Sequence, residues 1–169
     1  MISHNGKLIG PRIHTGQTTY TAKDQIERQY LGATSSGFLQ QVDYSYLSNG
    51  FLDKINNPAS LGNDLFGLAV GYNQAASSSN GTAQYNGNIA SLVSATASGV
   101  HHTYGYDYDG LDRLESADFY DYNDGSANDR YNSSYNYDAL GNIQTLVRSG
   151  VKFDGQTPSY GVIDDLSYT

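Results

Sequence analysis

The 169-residue chain has no cysteine, no tryptophan, one methionine and only 3 prolines, and just 15% of its residues are charged. Without cysteine there is no disulfide framework, no thiolate nucleophile and no thiolate metal site. Nine Lys and Arg against 17 Asp and Glu leave a net charge of −8 with no basic patch, which argues against nucleic acid or an anionic membrane as partner. No stretch approaches the roughly 20 apolar residues of a membrane-spanning helix, so no membrane insertion is expected. The opening residues Met1 to Gly10 lack the basic region and long apolar run of a signal peptide. If the protein is exported, the expectation is a signal elsewhere or a larger parent chain.

What the chain does have is 16 Tyr, 5 Phe and 19 Gly. Disordered acidic tails carry much charge and few aromatics, because they cannot bury enough apolar surface to offset chain entropy. This composition is the reverse, so something packs. Tyrosine suits half-buried strand faces, where the ring packs and the hydroxyl reaches water or a partner.

The sequence repeats itself. Tyr137-Asp-Ala-Leu-Gly-Asn-Ile143 matches Tyr108-Asp-Gly-Leu-Asp-Arg-Leu114, and Tyr46-Leu-Ser-Asn-Gly-Phe-Leu52 and Tyr20-Thr-Ala-Lys-Asp-Gln-Ile26 fit the same frame. A shortened copy, Tyr85-Asn-Gly-Asn-Ile89, keeps the Gly-x-Ile half. The repeat tyrosines are thus Tyr20, Tyr46, Tyr85, Tyr108 and Tyr137, and the closing aliphatics Ile26, Leu52, Ile89, Leu114 and Ile143.

Ahead of the turns, Tyr44 and Tyr46, then Tyr104, Tyr106 and Tyr108, then Tyr135 and Tyr137 recur with a period of two, which puts the rings on one face of a strand. The turn set is Asp24, Gly50, Gly87, Asp112 and Gly141, residue types that readily take the left-handed conformation closing a short hairpin loop. Each unit reads as a tyrosine strand, a tight turn and a return strand such as Ile143 to Arg148 or Leu114 to Ala117. The fold class expected is all-β: consecutive antiparallel β-hairpins forming a curved, twisted open sheet, a single segment of about five hairpin units over 1–169. Ser77 to Thr82 and Asp121 to Asp129 read as exposed loops, and Pro58 as the end of a return strand. The best helical candidate is a turn or two over Ala59 to Phe66, with Ser60 as a possible cap.

Tyr-Asp followed by Leu-Gly-Asn-Ile, in hairpins of this length, resembles the YD-repeat or Rhs family. Val42-Asp-Tyr-Ser-Tyr46, Gly50 to Pro58, Asp64-Leu-Phe-Gly67, Tyr85 to Ile89 and Tyr106 to Leu114 look like consecutive landmarks of Rhs-type proteins of Bacteroidetes-like bacteria. The resemblance runs from about Tyr20 to Thr169. It implies a segment of a long, secreted or surface-displayed protein whose repeats spiral into a hollow β-shell enclosing a toxic C-terminal domain. Related repeats form the shells of insecticidal toxin complexes and of teneurins. The partners implied are further YD repeats of the same shell and the enclosed toxin or effector. No Asp-Pro-x-Gly motif of the family's self-cleavage type occurs in these 169 residues, and no variable toxin domain is expected within them. Ile163 to Thr169 looks like the opening strand of a further repeat. The chain is therefore expected to be a fragment of a shell wall, since five units supply only about ten strands.

No enzyme site, cofactor or metal is expected. His101 and His102 are neighbours on a strand and point to opposite faces, so they do not converge on one ion. Asp121, Asn123, Asp124 and Asp129 have the composition of a calcium loop but not its spacing or its terminal acidic ligand. Asp164 and Asp165 are strand neighbours and do not form a glycosidase dyad by themselves. No Gly-x-Ser-x-Gly elbow is present, and Gly62, Gly67 and Gly71 are too widely spaced for a phosphate loop. Two alternatives to a structural role stay open: a carbohydrate or cell-surface binding module using tyrosine faces, and a small hydrolase or toxin, which lacks the cluster of acids and histidines it would need. Cross-strand tyrosine ladders that hold the sheet are the simpler reading of the rings.

Overall fold

Alternating rings and small residues put most of the chain into extended strands. The computed structural model describes residues 2–4, 7–9, 16–76, 81–122, 126–127, 130–155 and 157–168. The fold is all-β, with antiparallel ladders, an open unclosed arrangement and no helix among the described residues. The chain divides into two compact units, Met1–Asn56 and Asn57–Thr169.

In the first unit β1 (Ile2–His4) pairs with β2 (Lys7–Ile9). Next come β3 (Gly16–Tyr20), β4 (Ile26–Thr34), β5 (Gly37–Tyr46) and β6 (Leu52–Ile55), each pairing with the next. Its side chains from Gly16 onward are half-buried or exposed. Cohesion there comes from ladders and cross-strand polar contacts. Arg28 pairs with Asp43, Tyr44 Oη donates to Gln29 Oε1 at 2.7 Å, and Tyr30 packs on Phe38 with centroids 5.0 Å apart. Burial pushes the Asp43 carboxyl up, but hydrogen bonds from Arg28 and Gln41 outweigh it and hold the group below the usual range.

The second unit runs through β7 (Phe66–Gly71), β8 (Ser91–Thr96), β9 (His101–Tyr108), β10 (Leu114–Asp121), β11 (Ser126–Ala127), β12 (Ser133–Tyr137), β13 (Ile143–Asp154) and β14 (Thr157–Ser167). Neighbours in sequence are neighbours in the ladder, except that β12 pairs with β10 and the short β11 lies off that path, also on β10. The core sits here. Registers Val70↔Leu92, Leu92↔Tyr104 and Tyr104↔Phe119 align one face, on which Val70, Ala117 and Phe119 are buried. Gly71↔Ser91 and Ser91↔Gly105 align the other, on which Ser91, Ala95 and Thr103 are buried. Small residues along this second row leave room for the connection between β7 and β8. Its Ala76 N–H donates to Ser91 Oγ at 2.7 Å, its Gln84 N–H to the Tyr72 carbonyl at 2.8 Å and its Thr82 N–H to the Tyr106 carbonyl at 3.3 Å.

The expected helical turns at Ala59 to Phe66 do not form. Asn57 Oδ1 accepts the Ala59 N–H at 3.2 Å, the Ser60 N–H bonds the Asn57 carbonyl at 2.9 Å, and Gly62 takes φ 58°. Local side-chain bonding by Asn and a left-handed glycine divert the backbone into successive turns. Of the expected loops, residues 77–80, 123–125 and 128–129 lie outside the described residues, as does Thr169; Asp121 ends β10, and Ser126–Ala127 forms β11.

Candidate functional site: the stitched repeat turns

One turn geometry recurs. The Thr21 N–H bonds the Gln25 carbonyl while the Asp24 N–H bonds the Thr21 carbonyl, and the same two bonds link Leu47 with Phe51 and Gly50, Asp109 with Arg113 and Asp112, and Asp138 with Asn142 and Gly141, all at 2.8–3.1 Å. The residue at the tight position has positive φ each time: Asp24 56°, Gly50 90°, Asp112 64° and Gly141 90°. Each loop ends in a register shift that leaves Tyr20 opposite Ile26, Tyr46 opposite Leu52, Tyr108 opposite Leu114 and Tyr137 opposite Ile143. Gly141→Val is expected to destabilise the chain by about 1–3 kcal/mol, because a β-branched residue resists this conformation. A urea midpoint matching the parent's would refute the assignment.

The aspartate of the Tyr-Asp pair caps its own turn. Asp109 Oδ1 accepts the N–H groups of Leu111 at 2.9 Å and Arg113 at 3.0 Å; Asp138 Oδ1 accepts those of Leu140 at 2.9 Å and Asn142 at 2.8 Å. Both carboxyls are held below the usual range, Asp109 first by the backbone N–H of Arg113 and Asp138 first by the side-chain amide of Asn142. Thr21 Oγ1 does the same for Lys23 and Gln25.

The tyrosine reaches the repeat before it. Tyr46 Oη donates to the Ile26 carbonyl at 2.9 Å, Tyr108 Oη to the Ile89 carbonyl at 2.9 Å and Tyr137 Oη to the Leu114 carbonyl at 2.7 Å. In each case the acceptor belongs to the closing aliphatic of the preceding copy. The turns are also joined to one another. Gln25 Nε2 donates to the Gly50 carbonyl at 2.9 Å, Asn86 Nδ2 to Asp112 Oδ1 at 2.6 Å, and Arg113 Nη1 to the Asp138 carbonyl at 3.0 Å. Arg113 also lies over the Tyr137 ring, 4.6 Å from its centroid.

Removing either staple, by Tyr108→Phe or Tyr137→Phe, is expected to lower stability by about 0.5–1.5 kcal/mol in urea melts. Tyr85→Phe should change nothing, since Tyr85 is 86% exposed. Equal losses in all three variants would rule out the staple. Burial pushes the Tyr104, Tyr106, Tyr108 and Tyr137 phenols up, and only a protonated hydroxyl can donate. With folded values above the unfolded value of about 10, this stabilisation is intact below about pH 10 and is lost as pH rises through the raised values. Urea midpoints should therefore hold up to about pH 10 and fall as pH rises beyond it. A flat profile there would contradict the raised phenols.

The Tyr85 copy departs from the frame. Neither Tyr85 nor Ile89 lies in a strand, and Gly87, with φ 101°, closes no hairpin. The Asn88 N–H bonds Asn86 Oδ1 at 3.0 Å, and the segment leads into β8 as an irregular approach whose Ile89 carbonyl still receives the Tyr108 hydroxyl. Conversely, the tyrosine frame misses a hairpin. The Thr96 N–H bonds the Val100 carbonyl and the Gly99 N–H bonds the Thr96 carbonyl, with Gly99 at φ 90°, the same turn joining β8 to β9. Ala95 stands where a repeat tyrosine would, so only Gly99 between two apolar stretches could have revealed it.

No group of three or more metal-ligating side chains occurs among the described residues. His101 stacks on Tyr122 with centroids 4.3 Å apart and His102 packs edge-on against Phe119 at 4.8 Å, so the pair serves two separate aromatic contacts. Asp164 pairs with Arg148. An open depression of about 420 Å³ is lined by Tyr104, Tyr131, Asn132, Arg148 and Ile163 among others. Beside it the Tyr131 and Tyr160 rings meet edge-on at 5.8 Å, and Arg130 lies 4.8 Å from the Tyr160 centroid.

The chain matches part of the crystal structure of TcdB2-TccC3-TEV with a TM-score of 0.55 at 13% identity, over 83% of this chain. The likeness is one of fold. The match spans 6% of that much longer chain. No family model and no curated protein matches the sequence.

Proposed function

We propose that this chain is a structural, non-enzymatic wall segment of an Rhs-type YD-repeat shell, in a secreted or surface-displayed parent protein that encloses a C-terminal toxin or effector. The observation that carries the reading is the repeat-to-repeat staple, Tyr46 to Ile26, Tyr108 to Ile89 and Tyr137 to Leu114. A contact that three of the copies each make to the copy before them is a device for an array, because a repeat that carries it docks on the last one in the same way. The open ladder and the fold likeness to a segment of a far longer chain support it. The test is cryo-electron microscopy of the protein translated from the whole reading frame around this segment. A hollow wall built of these hairpins is the expected result; a solid, separately folded body would overturn it.

A second reading, a glycan-binding module, rests on the depression between Tyr104, Tyr131 and Arg148, where ring faces and a cation could meet a sugar. Saturable retention on a glycan array, lost in Tyr131→Ala, would favour it. No retention on any glycan would remove it.

A further inference from the structure

Asn49-Gly50 and Asn86-Gly87 are Asn-Gly pairs that share a local side-chain bond and a left-handed glycine, and the structure treats their glycine amides differently. Both asparagines form the same local ring: Asn49 Oδ1 accepts the Phe51 N–H and Asn86 Oδ1 the Asn88 N–H, each at 3.0 Å. Both glycines have positive φ, 90° and 101°. The Gly50 N–H is committed to the Leu47 carbonyl at 2.9 Å as part of the hairpin turn. The Gly87 N–H has no such acceptor among the described residues, and Asn86 is exposed to water.

We propose that Asn86 is a site of spontaneous deamidation in the folded protein, that Asn49 is protected from it, and that the conversion breaks the stitch between the 85–89 segment and the turn at Asp112. The Gly87 backbone nitrogen loses its proton and attacks Cγ of Asn86. The new N–Cγ bond closes a succinimide as the Cγ–Nδ2 bond breaks and Nδ2 leaves as ammonia, taking up the proton. Water then opens the ring at either carbonyl, giving aspartate or isoaspartate. An amide nitrogen that already donates a hydrogen bond is held away from this attack, which is the situation of Gly50 and not of Gly87.

The product reverses the chemistry of the contact. Asn86 Nδ2 donates to Asp112 Oδ1 at 2.6 Å, and deamidation replaces that donor with a second carboxylate facing the first. Attraction becomes like-charge repulsion. The modification therefore loosens a link between the irregular third copy and the turn of the fourth.

The test is peptide mapping by mass spectrometry of the purified chain after incubation at mildly alkaline pH, in native buffer and in parallel in urea. In native buffer Asn86 should convert several-fold faster than Asn49, and in urea the two rates should converge. Equal native rates, or an Asn86 that stays intact when folded but converts in urea, would overturn the assignment. For the consequence, Asn86→Asp should lower the melting temperature and Asn86→Asp combined with Asp112→Asn should restore it. An unchanged melting temperature in the single variant, or no recovery in the double, would overturn the unstitching.

Discussion

Gly81→Ala should unfold or severely weaken the second unit, with a loss of about 3 kcal/mol or more in urea melts. A Cβ at Gly81 would overlap the Ala90 carbonyl oxygen and stand 2.7 Å from the Tyr106 nitrogen and 3.0 Å from the Gly105 Cα. All are backbone atoms, so no side chain can swing aside. The obstructed carbonyl is also a working acceptor, taking the Tyr106 N–H at 2.9 Å, so relief by movement breaks a ladder bond. That exchange leaves buried backbone groups without partners, which is the expensive way to lose a hydrogen bond. Gly110→Ala is the control, because a Cβ there meets nothing within 4 Å. Equal, small effects at both positions would mean that the β7–β8 connection does not lie against β9.

This close approach explains why part of the fold was not legible in the sequence. Tyrosines at a period of two, followed at a fixed offset by Gly or Asp, are local signals, and the antiparallel all-β class follows from them. The 72–90 connection carries no such period. Its path depends on Gly71, Ser91 and Gly105 falling in one row across separate strands, a coincidence of register that no local window displays. The same limit hides the staple. Tyr137 and Leu114 are far apart in the chain, and only the β10–β12 ladder brings the hydroxyl to that carbonyl. The role of the aspartate in Tyr-Asp was closer to hand, since a carboxylate two residues before a free N–H is an ordinary turn cap. The Tyr85 copy misled because residue identity outlasts geometry: its Gly87 keeps positive φ and its Ile89 keeps the staple acceptor, yet no strand precedes the turn.

Taken together these contacts divide the work of a repeat between its two leading residues. The tyrosine binds backward, to the preceding copy, while the aspartate binds forward, within its own loop. A chain built this way needs little core per repeat. The first unit has none of its described side chains from Gly16 onward fully buried, and its order rests on ladders, caps and cross-strand pairs.

The second unit does have a core, and Phe119→Ala tests it with a loss of about 3–5 kcal/mol expected in urea melts. Phe119 is 3% exposed, and its ring meets three neighbours edge-on: His102 at 4.8 Å, Tyr131 at 5.1 Å and Tyr104 at 5.3 Å. Edge-to-face pairs add about 0.5–1.5 kcal/mol each beyond the area they bury. The backbone is held as well, with the Phe119 N–H donating to Asn132 Oδ1 at 2.8 Å, so the strand cannot easily shift to fill the vacated volume. Phe119→Leu keeps much of the volume without the ring geometry and should fall between parent and Ala. Phe153→Ala, at a side chain 75% exposed, should stay within about 0.5 kcal/mol of the parent. Because Tyr104 and Tyr131 both line the open depression, near-ultraviolet circular dichroism of the tyrosines should weaken in Phe119→Ala even in the absence of urea. An unchanged tyrosine spectrum with a small stability loss would mean that Phe119 does not anchor this cluster and that the rings are ordered by their own strands alone.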